Sequence, residues 1–125
     1  MFSVPFYFSK RTINEKVPCP PFDIGIFEDE TPNFEHVDKE INRILEACPD
    51  AMIFPRVNVN VSRQWELNNQ NEVCDEGFSS HKCACFSSDL WAQHVKDNLS
   101  AFLTHTESAK YAEHIIGYQI AGGNT

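Results

Sequence analysis

Phe34-Glu-His-Val-Asp-Lys-Glu-Ile-Asn-Arg-Ile-Leu-Glu-Ala-Cys48, followed at once by Pro49-Asp-Ala-Met-Ile-Phe-Pro-Arg-Val-Asn-Val-Asn-Val61, decides the fold class. In the first half Phe34, Val37, Ile41, Ile44, Leu45 and Cys48 recur at steps of three or four. That spacing draws one apolar stripe down an amphipathic helix. Thr31-Pro32 supplies a helix start, with Thr as N-cap and Pro in the first turn, and Pro49 stops the helix. In the second half the period changes to two, because Val57, Val59 and Val61 alternate with Asn58 and Asn60. A strand with amides on its second face is expected there.

Working outward, Phe22-Asp-Ile-Gly-Ile-Phe27 reads as a short buried strand. Residues 1–21 are expected to be irregular: Phe2 to Phe8 alternates loosely, but Pro5 would confine such a strand to a sheet edge. Ser87-Ser-Asp89 starts a second helix with the stripe Trp91, Val95, Leu99, Phe102 and Leu103, ending near His105. His114 to Ala121 reads as a further strand, and residues 62–87 as a long polar loop of the functional or disordered kind. Strands separated by helices pair in parallel through right-handed crossovers. The class is α/β.

Composition narrows the function. The 125 residues carry 10 Lys+Arg against 18 Asp+Glu, a net charge of −8, which speaks against a binder of phosphate backbones. A hydrophobic content of 42% demands a packed core, and no apolar run is long enough to span a membrane. Five cysteines, Cys19, Cys48, Cys74, Cys83 and Cys85, make no even disulfide framework. The start of the chain shows no leader pattern, which favours a cytoplasmic location with free thiols.

The chemistry-bearing positions gather where the strands end, since ligands of parallel α/β units bind there. Asn58 and Asn60 either need buried partners or face solvent on an edge. Arg56 is either a surface residue or the partner of a strand-end carboxylate. Trp65 either stacks on a sugar ring or anchors a loop, whereas Trp91 lies on the helix stripe and belongs to the core. Glu28, Asp29 and Glu30 form an acidic run, a solvated surface unless a cation or sugar sits there. Cys74, His81, Cys83 and Cys85 are zinc-type ligands, but Cys83-Ala-Cys85 is too tight for the usual knuckle. Free loop cysteines, or a local disulfide in an oxidising compartment, fit that spacing better. His94, His105 and His114 accompany no nucleophile motif, and Gly122-Gly123 is no dinucleotide fingerprint.

Four stretches then occur in a telling order. They are Pro49-Asp-Ala-Met-Ile-Phe-Pro-Arg-Val-Asn58, Ser62-Arg-Gln-Trp-Glu-Leu67, Ser87-Ser-Asp-Leu-Trp91 and His114-Ile-Ile-Gly-Tyr-Gln-Ile-Ala-Gly-Gly-Asn124. Together they resemble the front half of a (β/α)8 glycoside hydrolase of the β-galactosidase-like family 42 and its clan relatives. The resemblance covers residues 22–125, with departures at Ser62, at Gln70 or Asn71, and at Tyr118, where the family favours Pro, Pro and Trp.

It implies a partial TIM barrel of about three parallel strands and two to three helices. It also implies a retaining hydrolase whose acid/base glutamate falls at or just after Thr125, with the nucleophile further on. On that reading Arg56, Asn58, Trp65, Gln119 and Asn124 line the pocket of a galactoside-like sugar, by hydrogen bonding and stacking, and none is catalytic. No cofactor or metal is implied. The 125 residues are expected to be inactive alone and to need the rest of the barrel or a second copy to cover their open edges. The alternative is a small α/β carbohydrate-binding or interaction module, zinc-stabilised if the cysteine cluster holds metal.

Overall fold

The computed structural model describes residues 1–10, 24–29, 31–75 and 82–121. In chain order its elements are β1 (Phe2–Tyr7), α1 (Phe34–Ala47), β2 (Ile53–Asn58), α2 (Arg63–Asn68), β3 (Val73–Asp75), β4 (Lys82–Ala84), α3 (Asp89–Ser108) and β5 (Gln119–Ala121). Two 3-10 turns, Gln70–Glu72 and Ala112–His114, join α2 to β3 and α3 to β5. Strands β1, β2 and β5 form one parallel sheet in that spatial order, and β3 pairs with β4 in a separate antiparallel hairpin.

The alternation of strand, helix, strand, helix, strand is as expected, but its first strand is not. The expected strand over 22–27 is replaced by bends over residues 26–29, with Phe22 outside the described residues. The strand lies instead within the N-terminal segment expected to be irregular, as β1. Ile26 and Phe27 run along the outer side of β1, where their N–H groups donate to the carbonyls of Tyr7 (3.0 Å) and Phe8 (2.8 Å). Gly25 permits this close approach, since a Cβ there would lie 2.6 Å from the backbone nitrogen of Lys10.

Both strand prolines obey the ladder. Even-numbered residues of β1 point their backbone groups at β2, as the bonds Phe2 N–H to Met52 O and Phe8 N–H to Asn58 O show. Pro5 therefore turns its missing donor away from β2, at the sheet's outer side. Pro55 sits in the central strand and would need a donor toward β5. The pairing is interrupted there: Ile53 bridges Ile115, but Arg56 pairs with Gln119. Residues 54–56 of β2 thus face residues 116–119, three against four, a bulge that spans the position Pro55 cannot serve. Gly117 lies in this bulge, where a Cβ would come within 3.1 Å of the Phe54 ring.

The core lies on one side of the sheet. Val4, Phe6 and Phe8 of β1 and its end share a face with Ile53, Val57 and Val59, and all are buried. Both long helices cover that face: the Phe6 ring meets His36 of α1 at 6.1 Å and Phe102 of α3 at 5.9 Å. Helix α1 buries Val37 and Ile41 of its stripe. Its cap is Asn33 rather than Thr31, with Oδ1 accepting from His36 N–H at 3.3 Å. Helix α3 starts as expected, with Ser88 Oγ accepting from Trp91 N–H at 3.1 Å, and runs past His105 to Ser108.

The expected long loop is partly ordered. Within residues 62–87 lie α2, a 3-10 turn and the β3–β4 hairpin, closed by a Cys74–Cys85 disulfide. The zinc alternative loses two of its four ligands to that bond. Among the described residues no group of three His, Cys, Asp or Glu is placed to hold a metal ion. Among the described residues no helix is long and apolar enough to cross a membrane.

Candidate functional site

Side chains alternate across a strand, so the residues that do not meet the helices define a second, helix-free face. On β2 these are Phe54, Arg56 and Asn58, preceded by Met52. The register sets Gln119 beside Arg56, Ala121 beside Asn58, and Tyr7 on the other side of Asn58. Three of the expected sugar contacts, Arg56, Asn58 and Gln119, are thereby brought to one face. Arg56 and Asn58 are two residues apart, about 7 Å along the strand, and Gln119 is one strand spacing away, about 5 Å.

This face is graded along the strands. Its N-terminal end is apolar, with Met52 56% exposed and the Phe54 ring against Gly117. Its C-terminal end is polar.

The asparagines settle differently from one another. Asn60 is a structural clamp: its Oδ1 accepts from Ser9 N–H at 3.1 Å and its Nδ2 donates to Ser9 O at 2.8 Å, tying the end of β2 to the end of β1. Asn58 is only 6% exposed, and its Oδ1 accepts from Asn60 N–H at 3.1 Å. That bond fixes which way the amide points. Among the described residues no acceptor faces its Nδ2, which is the unusual state for a buried donor. Arg56 is exposed and takes part in no ion pair among the described residues.

Trp65 is not part of this face. It lies on α2, with its ring tilted at 5.7 Å over the imidazole of His94 on α3. Burial, partly opposed by the charge of Asp97, holds the His94 pKa below its ordinary value. Asn124 lies outside the described residues. Of the acidic run, the Glu28 carboxylate accepts from the backbone N–H of Lys10, which gives it a structural partner.

Two polar clusters had no signature in the sequence, because their members are far apart in the chain. Asp38 Oδ1 accepts from His105 Nε2 at 2.8 Å and from Tyr111 OH at 2.5 Å, and Phe34 stacks on the His105 ring at 4.3 Å. This knot joins α1 to α3. Beside it Tyr118 OH donates to Glu107 Oε1 at 2.7 Å, with Thr106 Oγ1 2.8 Å away. Burial and, second to it, the Asp38 carboxylate push the Tyr111 pKa far up. Burial, partly offset by the Thr106 contact and reinforced by Glu107, raises that of Tyr118 to about 12. Both phenols are locked in the protonated, donating form at neutral pH. A shallow groove of about 430 Å³ lies elsewhere, between the Leu67–Glu72 segment and Leu90.

No family model matches the chain, and neither a curated protein nor a solved structure matches it. The fold itself is a mixed α/β arrangement with three parallel strands in one sheet and three α-helices among the described residues.

Proposed function

We propose that the chain is an arc of a (β/α)8 glycoside hydrolase of the β-galactosidase-like type, and that its helix-free face binds a galactoside-like sugar. The observation that carries this reading is the grading of that face. Consecutive parallel strands in chain order, with both crossover helices on one side, are the repeating unit of such a barrel. The other side is then the barrel interior, which is packed with apolar side chains below and opens to substrate at the carboxyl ends of the strands. Met52 and Phe54 occupy the lower positions, and Arg56, Asn58 and Gln119 the upper ones. The free edge supports the same reading: Ile120, beside the buried Val57, is 46% exposed and lacks a neighbour on its outer side among the described residues.

In this role Asn58 Nδ2 and the Arg56 guanidinium donate to sugar oxygens, and Gln119 serves as donor or acceptor. None of them transfers a proton. Retaining hydrolysis is carried by two carboxyl groups about 5–5.5 Å apart, roles that fall to none of these residues. Binding is therefore the readout. In an amide-correlation titration of the chain with methyl β-galactoside, signals of residues 56–58 and 119–121 should move together. Trp65→Ala should leave them moving. If only the signals around Trp65 respond, the helix-free face is not the sugar site.

A further inference from the structure

We propose that the sugar taken by this face is acidic: a uronate whose carboxylate is paired by Arg56 while Asn58 Nδ2 donates to a neighbouring oxygen. The inference rests on the sugar-binding reading above and deepens it by naming the substrate class. It follows from the charges that are absent around Arg56 among the described residues. The chain carries 18 Asp and Glu residues against 10 Lys and Arg. Yet β1, β2 and β5, read as Phe2–Tyr7, Ile53–Asn58 and Gln119–Ala121, contain no acidic residue at all. No carboxylate stands beside Arg56 in the register, where its neighbours are Pro5 and Gln119.

The second observation is independent of the first. Asn58 is nine-tenths buried, its Oδ1 is committed to Asn60 N–H, and its two Nδ2 hydrogens meet no acceptor among the described residues. A buried donor in this state is paired by something that brings an acceptor with it. The upper part of the face therefore offers hydrogens from a guanidinium and an amide about 7 Å apart along the strand, close to the span of one pyranose ring with its substituents. A planar carboxylate meets the guanidinium fork through two parallel bonds, a match that a neutral hydroxymethyl group cannot make. A sugar that carries its own carboxylate satisfies both groups at once.

The test compares methyl β-galacturonide with methyl β-galactoside, which differ only at C6, in calorimetric and amide-shift titrations of the full chain. The galacturonide should bind about tenfold tighter or better, the usual scale of a hydrogen-bonded charge pair. That advantage should shrink as salt is raised. Arg56→Gln should weaken galacturonide binding far more than galactoside binding, so that the preference is lost, and Arg56→Lys should restore part of it. Because Arg56 is exposed, the fold of each variant is checked by its unchanged amide spectrum. Equal binding of the two sugars, or a preference that survives Arg56→Gln, overturns the acidic-sugar inference and leaves the sugar-binding reading standing. Failure of both sugars to move the signals of residues 56–58 and 119–121 overturns that reading, and this inference with it.

Discussion

The two faces of the sheet are woven from the same three strands, residue by alternate residue, and they obey different rules. On the helix-covered face Phe6, Val57 and Phe102 are sealed from solvent within a cluster of apolar and aromatic side chains. On the helix-free face apolar character fades within one strand, from Met52 and Phe54 to Arg56 and Asn58. The difference teaches that stability and recognition are separated by a rotation of one residue along β2. A change at an odd-numbered position of that strand should be felt as folding energy, and a change at Arg56 as affinity. The strongest way to break this comparison is Phe102→Ala. The ring projects from α3 against Phe6 and Phe8 and is fully buried, so its loss should cost about 3–5 kcal/mol in urea denaturation. A cost near that of a surface substitution would mean that the covered face is not the core.

The hairpin annex offers the next largest effect. Strands β3 and β4 pair over only three residues each, too few to hold a hairpin alone, so the Cys74–Cys85 bond is the main restraint on them. Replacing both cysteines by Ser should free up to about 3 kcal/mol of loop entropy in the opened form. The loss should be local. Hydrogen exchange should quicken at residues 73–75 and 82–84 and stay unchanged at residues 53–58, which belong to the sheet. Equal quickening in both places would show that the hairpin and the sheet unfold as one unit.

How much of this was legible in the sequence follows from the range of the interactions. Helices α1 and α3 were readable because each carries its own stripe, and α3 its own Ser88 cap, whereas the cap of α1 is Asn33 and not the expected Thr31. The β2 strand was readable from Val57 and Val59, and the α/β class from the order of these pieces. The first strand was misplaced because Phe22 to Phe27 has a better local alternation than Phe2 to Tyr7. What decides between them is Gly25 meeting Lys10 and the β1–β2 register, neither of which is local. Arg56, Asn58 and Gln119 were each visible as polar residues at strand ends. Their union on one face depends on the Arg56–Gln119 pairing, which a bulge beside Pro55 has shifted by one residue. Trp65 carried a legitimate stacking signal, but its partner is His94, 29 positions away on another helix. The knot of Asp38, His105 and Tyr111 spans up to 73 positions and leaves no local trace.

That knot also sharpens the comparison, because it is polar chemistry employed for stability on the helix side. Tyr111→Phe removes the 2.5 Å bond to Asp38 and should cost about 1–2 kcal/mol. The phenols set an alkaline limit as well. Tyr118 ionises near 10 when unfolded and is raised to about 12 in the fold, so the folded state holds its proton longer. Its contribution is complete below pH 10 and disappears as the pH climbs through 12, with Tyr111 acting in the same direction. The denaturation midpoint should therefore fall over that window, and the fall should be shallower in Tyr118→Phe. A midpoint indifferent to pH between 10 and 12 would remove the phenols from the account of stability.

The smallest expected effect is the most informative about the other face. Arg56→Ala takes away an exposed side chain with no ion-pair partner among the described residues, on the central strand of the sheet. Were Arg56 there to hold the fold, its loss would resemble that of other structural charges and cost well over 1 kcal/mol. A residue kept for an incoming ligand contributes nothing until the ligand arrives, and its removal stays within about 0.5 kcal/mol. A denaturation curve superimposable on the wild type, together with weakened sugar binding, would place the two faces of one strand under separate physical demands. A substantial loss of stability would return Arg56 to the structural side of the comparison.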